Sequence, residues 1–196
     1  MRVLVACEFS GVVREAFSAL GHDAWSCDIL PTEIPGSHYT MDVMKVLNKK
    51  WDLIIAHPPC TYLSNSGVMW LHRDKSRWNK MREGAKFFKD MLNAKCKKVC
   101  VENPVMHGYA KEIIGVNQTQ VIQPWMFGHM EQKATCLWLK GLPPLVPTRN
   151  VKEKMMKLPD NQRQRLHYLP PSKDRQKLRS KTFIGIAAAM AEQWGK

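Results

Sequence analysis

A chain of 196 residues with 44% hydrophobic content has material for one well-cored domain and too little length for two of ordinary size. Its formal charge of +13 calls for an anionic partner, most often nucleic acid. No run approaches the roughly 20 apolar residues of a membrane span, and six scattered cysteines in a chain that needs no staples read as reduced thiols of a cytosolic protein.

Arg2–Cys7 reads as a first strand and is too short an apolar stretch for a signal peptide. It leads into Glu8-Phe9-Ser10-Gly11, a glycine-bearing turn. From Val12 to Leu20, apolar residues at 12, 13, 16, 17 and 20 share one helical face, and Gly21 stands where a left-handed cap belongs. Ala24–Cys27 is a second strand ending in Asp28. Strand, glycine turn, helix, strand and carboxylate in that order belong to a dinucleotide-type fold or to a plain βαβ unit.

Leu30–Tyr39, with Pro31, Pro35 and Gly36, reads as a loop; Asp42 and a short Met44–Leu47 helix follow. Asp52–Ala56 has the length and apolarity of a buried parallel strand. It stops at His57-Pro58-Pro59-Cys60, because proline has no N–H to give the ladder. Cys60 is either a small apolar filler or a thiol offered at the carboxyl edge of a sheet. Asn65–Trp70 reads as a mobile continuation of that loop, and Arg73–Ala94 as one long helix with Trp78, Met81, Ala85, Phe88 and Leu92 on its core face.

Lys98–Val101 is a further strand, ending in Glu102-Asn103-Pro104. Tyr109–Ile114 should be a helix, Thr119–Ile122 a strand, Gln123–His129 an aromatic turn and Thr135–Leu139 a strand. From Pro147 apolar periodicity is lost. Arg149–Lys181 holds eleven Lys/Arg against three Asp/Glu, a net of +8, which marks an extended or partly helical basic arm suited to phosphates. Phe183–Trp194 reads as a closing helix. The expected architecture is an α/β, Rossmann-like, doubly wound and mostly parallel sheet: core 1–144, arm 145–181, returning helix 182–196.

Strand-end groups of a parallel sheet share one edge, so Phe9, Gly11, Asp28, Asp42, Cys60 and Glu102 can converge although scattered in sequence. A thiol and a carboxyl group facing one cavity suit covalent attack on an electron-poor ring with proton donation to a ring nitrogen. In this order, Phe9-Ser10-Gly11, Asp28, Asp42, Pro58-Pro59-Cys60, Glu102-Asn103 and the final Thr182-Phe183-Ile184-Gly185 resemble the motifs of the cytosine-5 DNA methyltransferases. The resemblance covers most of residues 1–140 and the C-terminus. It implies a class I methyltransferase fold, S-adenosylmethionine as cofactor and DNA as partner, with no metal. It further implies Cys60 as nucleophile on carbon 6 of cytosine and Glu102 as the partner of ring nitrogen 3. Phe9, Gly11, Asp28, Asp42 and Pro58 would hold the cofactor, while Ser64, Asn65, Asn103 and Lys133 would lie toward the base. Arg163, Arg165, Arg175 and Lys177 of the arm are expected to bind phosphates.

The chain departs from that family where Val13 replaces a second glycine, where Pro104 follows Glu102-Asn103, and where Glu131–Thr135 replaces a Gln-x-Arg-x-Arg motif. It also has only the arm where a target-recognition domain is usual, an economy that fits a phage or mobile-element enzyme. A free or modified cytosine nucleotide is therefore a second substrate class, and a non-catalytic nucleic-acid-binding homologue a third reading. Amino-directed methyltransferases fit less well, because His57 precedes Pro58-Pro59 and Cys60 follows. A zinc site from Cys96, Cys100 and His107 lacks a second ligand pair. His57 and His129 read as hydrogen-bonded structural histidines.

Overall fold

In the computed structural model, which describes residues 1–196, one seven-stranded sheet runs through the molecule in the order β3-β2-β1-β4-β5-β7-β6. Its strands are β1 (Arg2–Ala6), β2 (Asp23–Asp28), β3 (His38–Thr40), β4 (Leu53–Ala56), β5 (Lys98–Pro104), β6 (Gln120–Ile122) and β7 (Thr135–Lys140). All neighbours are parallel except β7, which runs antiparallel to both β5 and β6. The Rossmann-like, mostly parallel architecture expected from the alternation of elements is the one observed.

Val3–Ala6 of β1, all of β4 and Val99–Val101 of β5 are apolar at every position because both faces are covered. Alternate side chains enter opposite cores. Leu4, Ala6, Ile54, Ala56, Val99 and Val101 face one helical layer, built from α3 (Arg77–Leu92) and α4 (Gly108–Ile114). Val3, Val5, Leu53, Ile55 and Cys100 face the other, where α1 (Val12–Ser18) packs on α8 (Ile184–Trp194). On α3, Met81, Ala85, Phe88 and Met91 are buried, so the expected stripe holds with Met91 in the place of Leu92. No helix is long and apolar enough to cross a membrane, and all six cysteines are free thiols.

Several elements differ from the sequence reading. The expected loop 30–39 ends in the short edge strand β3, whose three residues pair with Ser26–Asp28. Asn65–Trp70 is not an open loop: a 3₁₀ turn over Asn65–Gly67 leads into α2 (Met69–Arg73). The long helix expected from Arg73 is broken at Asp74, whose carboxylate accepts from both the backbone N–H and hydroxyl of Ser76 and so competes with helix continuation. The basic arm folds into three short helices, α5 (Lys152–Met156), α6 (Asp160–Arg163) and α7 (Arg175–Ser180).

Strand β5 continues past Val101, where the sequence reading ended it. Its parallel ladder with β4 stops at the pair Ala56–Val101, but β7 goes on pairing through Glu102, Asn103 and Pro104. Glu102 is therefore past the end of β4 and still held in a strand.

Arg14 is the least expected core residue, with a side chain fully buried between α1 and the loop before β3. Its guanidinium donates to Glu15, to the Ser26 and Thr32 hydroxyls and to the carbonyls of Ile34 and Pro35. These bonds satisfy a buried charge and fasten the 32–35 loop against the turn after β1. Arg14→Met keeps the volume and strands those acceptors. With charged hydrogen bonds worth about 1.5–3 kcal/mol each, we expect a stability loss of roughly 3 kcal/mol or more in urea unfolding. A loss below about 1 kcal/mol would show that the network is dispensable.

Candidate active site at the carboxyl edge of the sheet

The site begins where β4 and β5 run out of step. With Ala56 opposite Val101, the register continues to place His57 beside Glu102 and Pro58 beside Asn103. Both side-chain contacts exist. His57 Nδ1 lies 2.9 Å from Glu102 Oε2, and Asn103 Nδ2 donates to the Pro58 carbonyl at 2.9 Å. Asn103 is 1% exposed, so this bond holds the Pro-Pro segment from inside the protein. The opposite atoms of both groups, His57 Nε2 and Asn103 Oδ1, are buried without a partner.

The chain after Cys60 is pinned to the chain after Glu102. The Cys60 carbonyl accepts from Leu63 and Ser64, Asn65 N–H donates to the Val105 carbonyl, and His107 N–H donates to that of Leu63. The His107 ring accepts from Ala110 N–H at Nδ1 and donates from Nε2 to the Tyr62 carbonyl. Ser64 is half-buried with its hydroxyl 3.2 Å from that of Ser66, and Asn65 is exposed.

Electrostatics divide the two chemical groups. Burial and the nearby Glu102 carboxylate push the Cys60 thiol up, against the opposing pull of Lys133 and Arg179. Burial also disfavours the Glu102 charge, but the His57 hydrogen bond and the positive charge of Lys133 hold this carboxyl below its ordinary value. At neutral pH the resting pair is a protonated thiol beside a charged carboxylate. Lys133 and Glu102 line one small pocket with Lys181, Thr182 and Phe183, and Lys133 Nζ also donates to the Arg179 carbonyl at 2.8 Å.

On the other side of the sheet's switch point lie Phe9, Gly11, Asp28 and Asp42. Gly11 has φ 76°, and a Cβ there would meet the Arg14 guanidinium and Ile34. Glu8 caps the start of α1, accepting from Val13 and Arg14 N–H groups, so that turn has already spent these two donors within the chain. Asp28 and Asp42 each accept one local N–H, from Leu30 and Met44 respectively, through a single oxygen. Their second oxygens make no hydrogen bond. Both carboxylates act on Cys7 and Cys27: burial and then Asp28 raise the two thiols, Cys27 to about 11. Cys7, which the sequence reading passed over, has φ 58°, a left-handed conformation rare for residues other than glycine and common at functional edges.

The arm reaches the same edge. Lys177 sits 5.4 Å over the Phe9 ring and pairs with Glu33 at 2.9 Å, and Lys181 pairs with the same carboxylate at 2.6 Å. Glu33 N–H in turn donates to the Phe9 carbonyl. The other three cations expected to bind phosphates are also engaged within the chain. Arg163 pairs with Asp160, Arg165 with Glu131, and Arg175 donates to the carbonyls of Leu169 and His167. His129, as expected, is structural: burial lowers its pKa, and the neutral ring accepts from Gly185 N–H at the start of α8.

No family model matches the chain, and no curated protein matches it. Among solved structures, it is similar to a protein provisionally assigned as a DNA modification methyltransferase encoded within a prophage of E. coli. The match covers 81% of this chain and 55% of that one, at 15% identity and a TM-score of 0.46. This chain thus spans about half the length of that protein, and a likeness so distant carries no argument about chemistry. The strand order, with β7 reversed between β5 and β6, is what decides the fold. It is a Rossmann-like, doubly wound α/β fold.

Opposite charges around Cys60 give a two-signed test. Because the Glu102 carboxylate raises the thiol, Glu102→Gln should speed iodoacetamide alkylation at Cys60 severalfold near pH 7.5 and shift its pH profile downward. Lys133→Gln should slow it and shift the profile upward. Peptide mass spectrometry reads Cys60 separately from the other thiols; equal rates in both variants would disprove the electrostatic assignment.

Proposed function

We propose that this protein methylates carbon 5 of cytosine in DNA, using S-adenosylmethionine and a covalent adduct with Cys60. The observation that carries the reading is the pairing of strand-end groups. Cys60 follows β4 and Glu102 stands on the extended end of β5, on a frame braced by the His57–Glu102 and Asn103–Pro58 bonds.

The residues present fit the cofactor. The free oxygens of Asp28 and Asp42 suit ribose hydroxyls and an adenine amino group, and Phe9, Gly11 and Pro58 would complete the cradle. Bound there, S-adenosylmethionine supplies an electrophilic methyl group. The protein's task is to make carbon 5 a nucleophile. Sulfur of Cys60 bonds to carbon 6 of the ring, and the carbon 5–carbon 6 π pair shifts into the carbon 4–carbon 5 bond. The carbon 4–nitrogen 3 π pair moves onto nitrogen 3, which takes a proton and leaves carbon 5 nucleophilic. The resting charges match this step: the thiol gives up one proton, nitrogen 3 takes one, and Glu102 is the carboxyl group placed to relay it. His57, donating from Nδ1 to Glu102, fixes which carboxylate oxygen is left for the base. After carbon 5 gains the methyl group, its proton passes to water, and the freed C–H pair re-forms the carbon 5–carbon 6 double bond as the carbon 6–sulfur bond breaks. The nitrogen 3 proton returns through Glu102 to the departing thiolate.

A base inside a duplex cannot reach a thiol at a sheet edge, so the target must be unpaired or flipped out. The basic charge favours a polynucleotide over a free nucleotide. DNA carrying 5-fluorocytosine should form a denaturant-stable complex that needs both Cys60 and cofactor, because fluorine cannot leave as a proton does. Cys60→Ser should give no complex, and Glu102→Gln should slow its formation by about 10²–10⁴, the range for a lost general acid. An adduct that forms equally with Cys60→Ala disproves the nucleophile. Transfer to deoxycytidine nucleotides but not to DNA moves the proposal to its second substrate class.

A further inference from the structure

The arm's expected phosphate ligands are tied up within the chain, whereas a second group of cations has no carboxylate partner. Between Asn65 and Arg82 the sequence carries Arg73, Lys75, Arg77, Lys80 and Arg82 against the single carboxylate Asp74. None of the five belongs to an ion pair, and Asp74 is turned onto Ser76.

This surface also exposes large apolar and aromatic side chains. Trp70 is 49% exposed, Met69 54% and Tyr109, on the neighbouring α4, 40%. Cations already stack on these rings: Arg73 lies 5.2 Å from the Trp70 ring centre, and Arg77 lies 4.7 Å from that of Tyr62. Tyr109 packs edge-on against Trp78 at 4.9 Å and against His72 at 5.7 Å, which fixes its ring to α2 and α3. Tyr62 is two residues from Cys60, and its carbonyl is held by His107, so this surface is anchored directly to the reactive loop.

We propose that Tyr62, Trp70, Arg73, Lys80 and Tyr109 form a stacking surface for the unpaired bases of single-stranded DNA beside the Cys60 loop. Interleaved ring faces and unpaired cations are what a single strand requires, since each nucleotide offers one π face and one phosphate. A duplex hides its bases and leaves exposed tryptophan without a partner. A second copy of this chain is a poor occupant, because two bodies of charge +13 would bring unpaired cations together. The surface explains how a chain with only a short arm could hold DNA near its thiol. It rests on ring and charge placement, and its test requires no methyl transfer, so it stands or falls apart from the cytosine-5 reading.

The experiment is fluorescence anisotropy of labelled oligothymidylate and of a hairpin duplex, titrated with the full-length protein across a range of salt concentrations. The wild-type protein should bind the single strand more tightly than the duplex. Trp70→Ala, an exposed truncation whose folding is checked by its melting temperature, should weaken single-strand binding about 5–150-fold, as expected for a lost base stack of about 1–3 kcal/mol, and leave duplex binding nearly unchanged. Arg73→Gln and Lys80→Gln should each flatten the salt dependence by about 0.7 in log–log slope. Unchanged single-strand affinity in Trp70→Ala, or a loss equal on both DNAs, overturns the proposal. So does sedimentation showing a dimer that Trp70→Ala dissolves, which would make the surface a protein interface.

Discussion

Antiparallel pairing with β7 carries β5 three residues beyond its ladder with β4, and the chemistry-bearing groups are arranged around that offset. A parallel sheet normally releases all its strands near one level, leaving polar end groups on loops. Here Glu102 and Asn103 remain in a strand, with their backbone positions set by the partners Leu137 and Cys136. The register then delivers His57 and Pro58 opposite them without any loop having to find its place. A reactive carboxyl group gains from such rigidity, because catalysis depends on placement to a fraction of an ångström.

The second consequence is electrostatic. A carboxylate 85% buried needs a donor to stay charged, and His57 provides it. The same charge makes Cys60 a poorer acid, so a thiol already protonated at neutral pH is held more firmly so beside a charged carboxylate. Lys133 moderates both, favouring the charge on Glu102 and easing ionisation of Cys60. The imidazole and the ammonium group thus favour the charged carboxylate, while the ammonium group and the carboxylate act on the thiol in opposite directions.

The distribution of positive charge has a divided purpose. Several cations of the arm are fastening elements: Glu131 holds Arg165 and Glu33 holds Lys177 and Lys181 to the body, Asp160 ties Arg163 within the arm, and Lys177 and Lys181 hold the approach to α8 over the Phe9 turn. Cations around α2 and α3 have no acidic partner and stand among exposed rings. Net charge alone cannot distinguish these uses, since an ion-paired lysine and a free one count equally.

Local pattern alone determined the Rossmann-like alternation, the apolar strands, the helical stripe of α3, the glycine turn after β1 and the set of strand-end residues. Each of these depends on neighbours within a few positions, where periodicity and proline or glycine chemistry dominate. What only the tertiary structure decided depends on partners far apart in sequence. Strand β5 runs on because β7, more than thirty residues later, pairs antiparallel to it. Arg14 is buried because a loop twenty residues away supplies its acceptors. His57, read as structural, meets Glu102 through the register of two strands, and Arg165, Lys177 and Lys181 of the arm meet Glu131 and Glu33, carboxylates that no local pattern links to them. Contacts of that kind are set by register and packing, and a linear pattern carries no record of either.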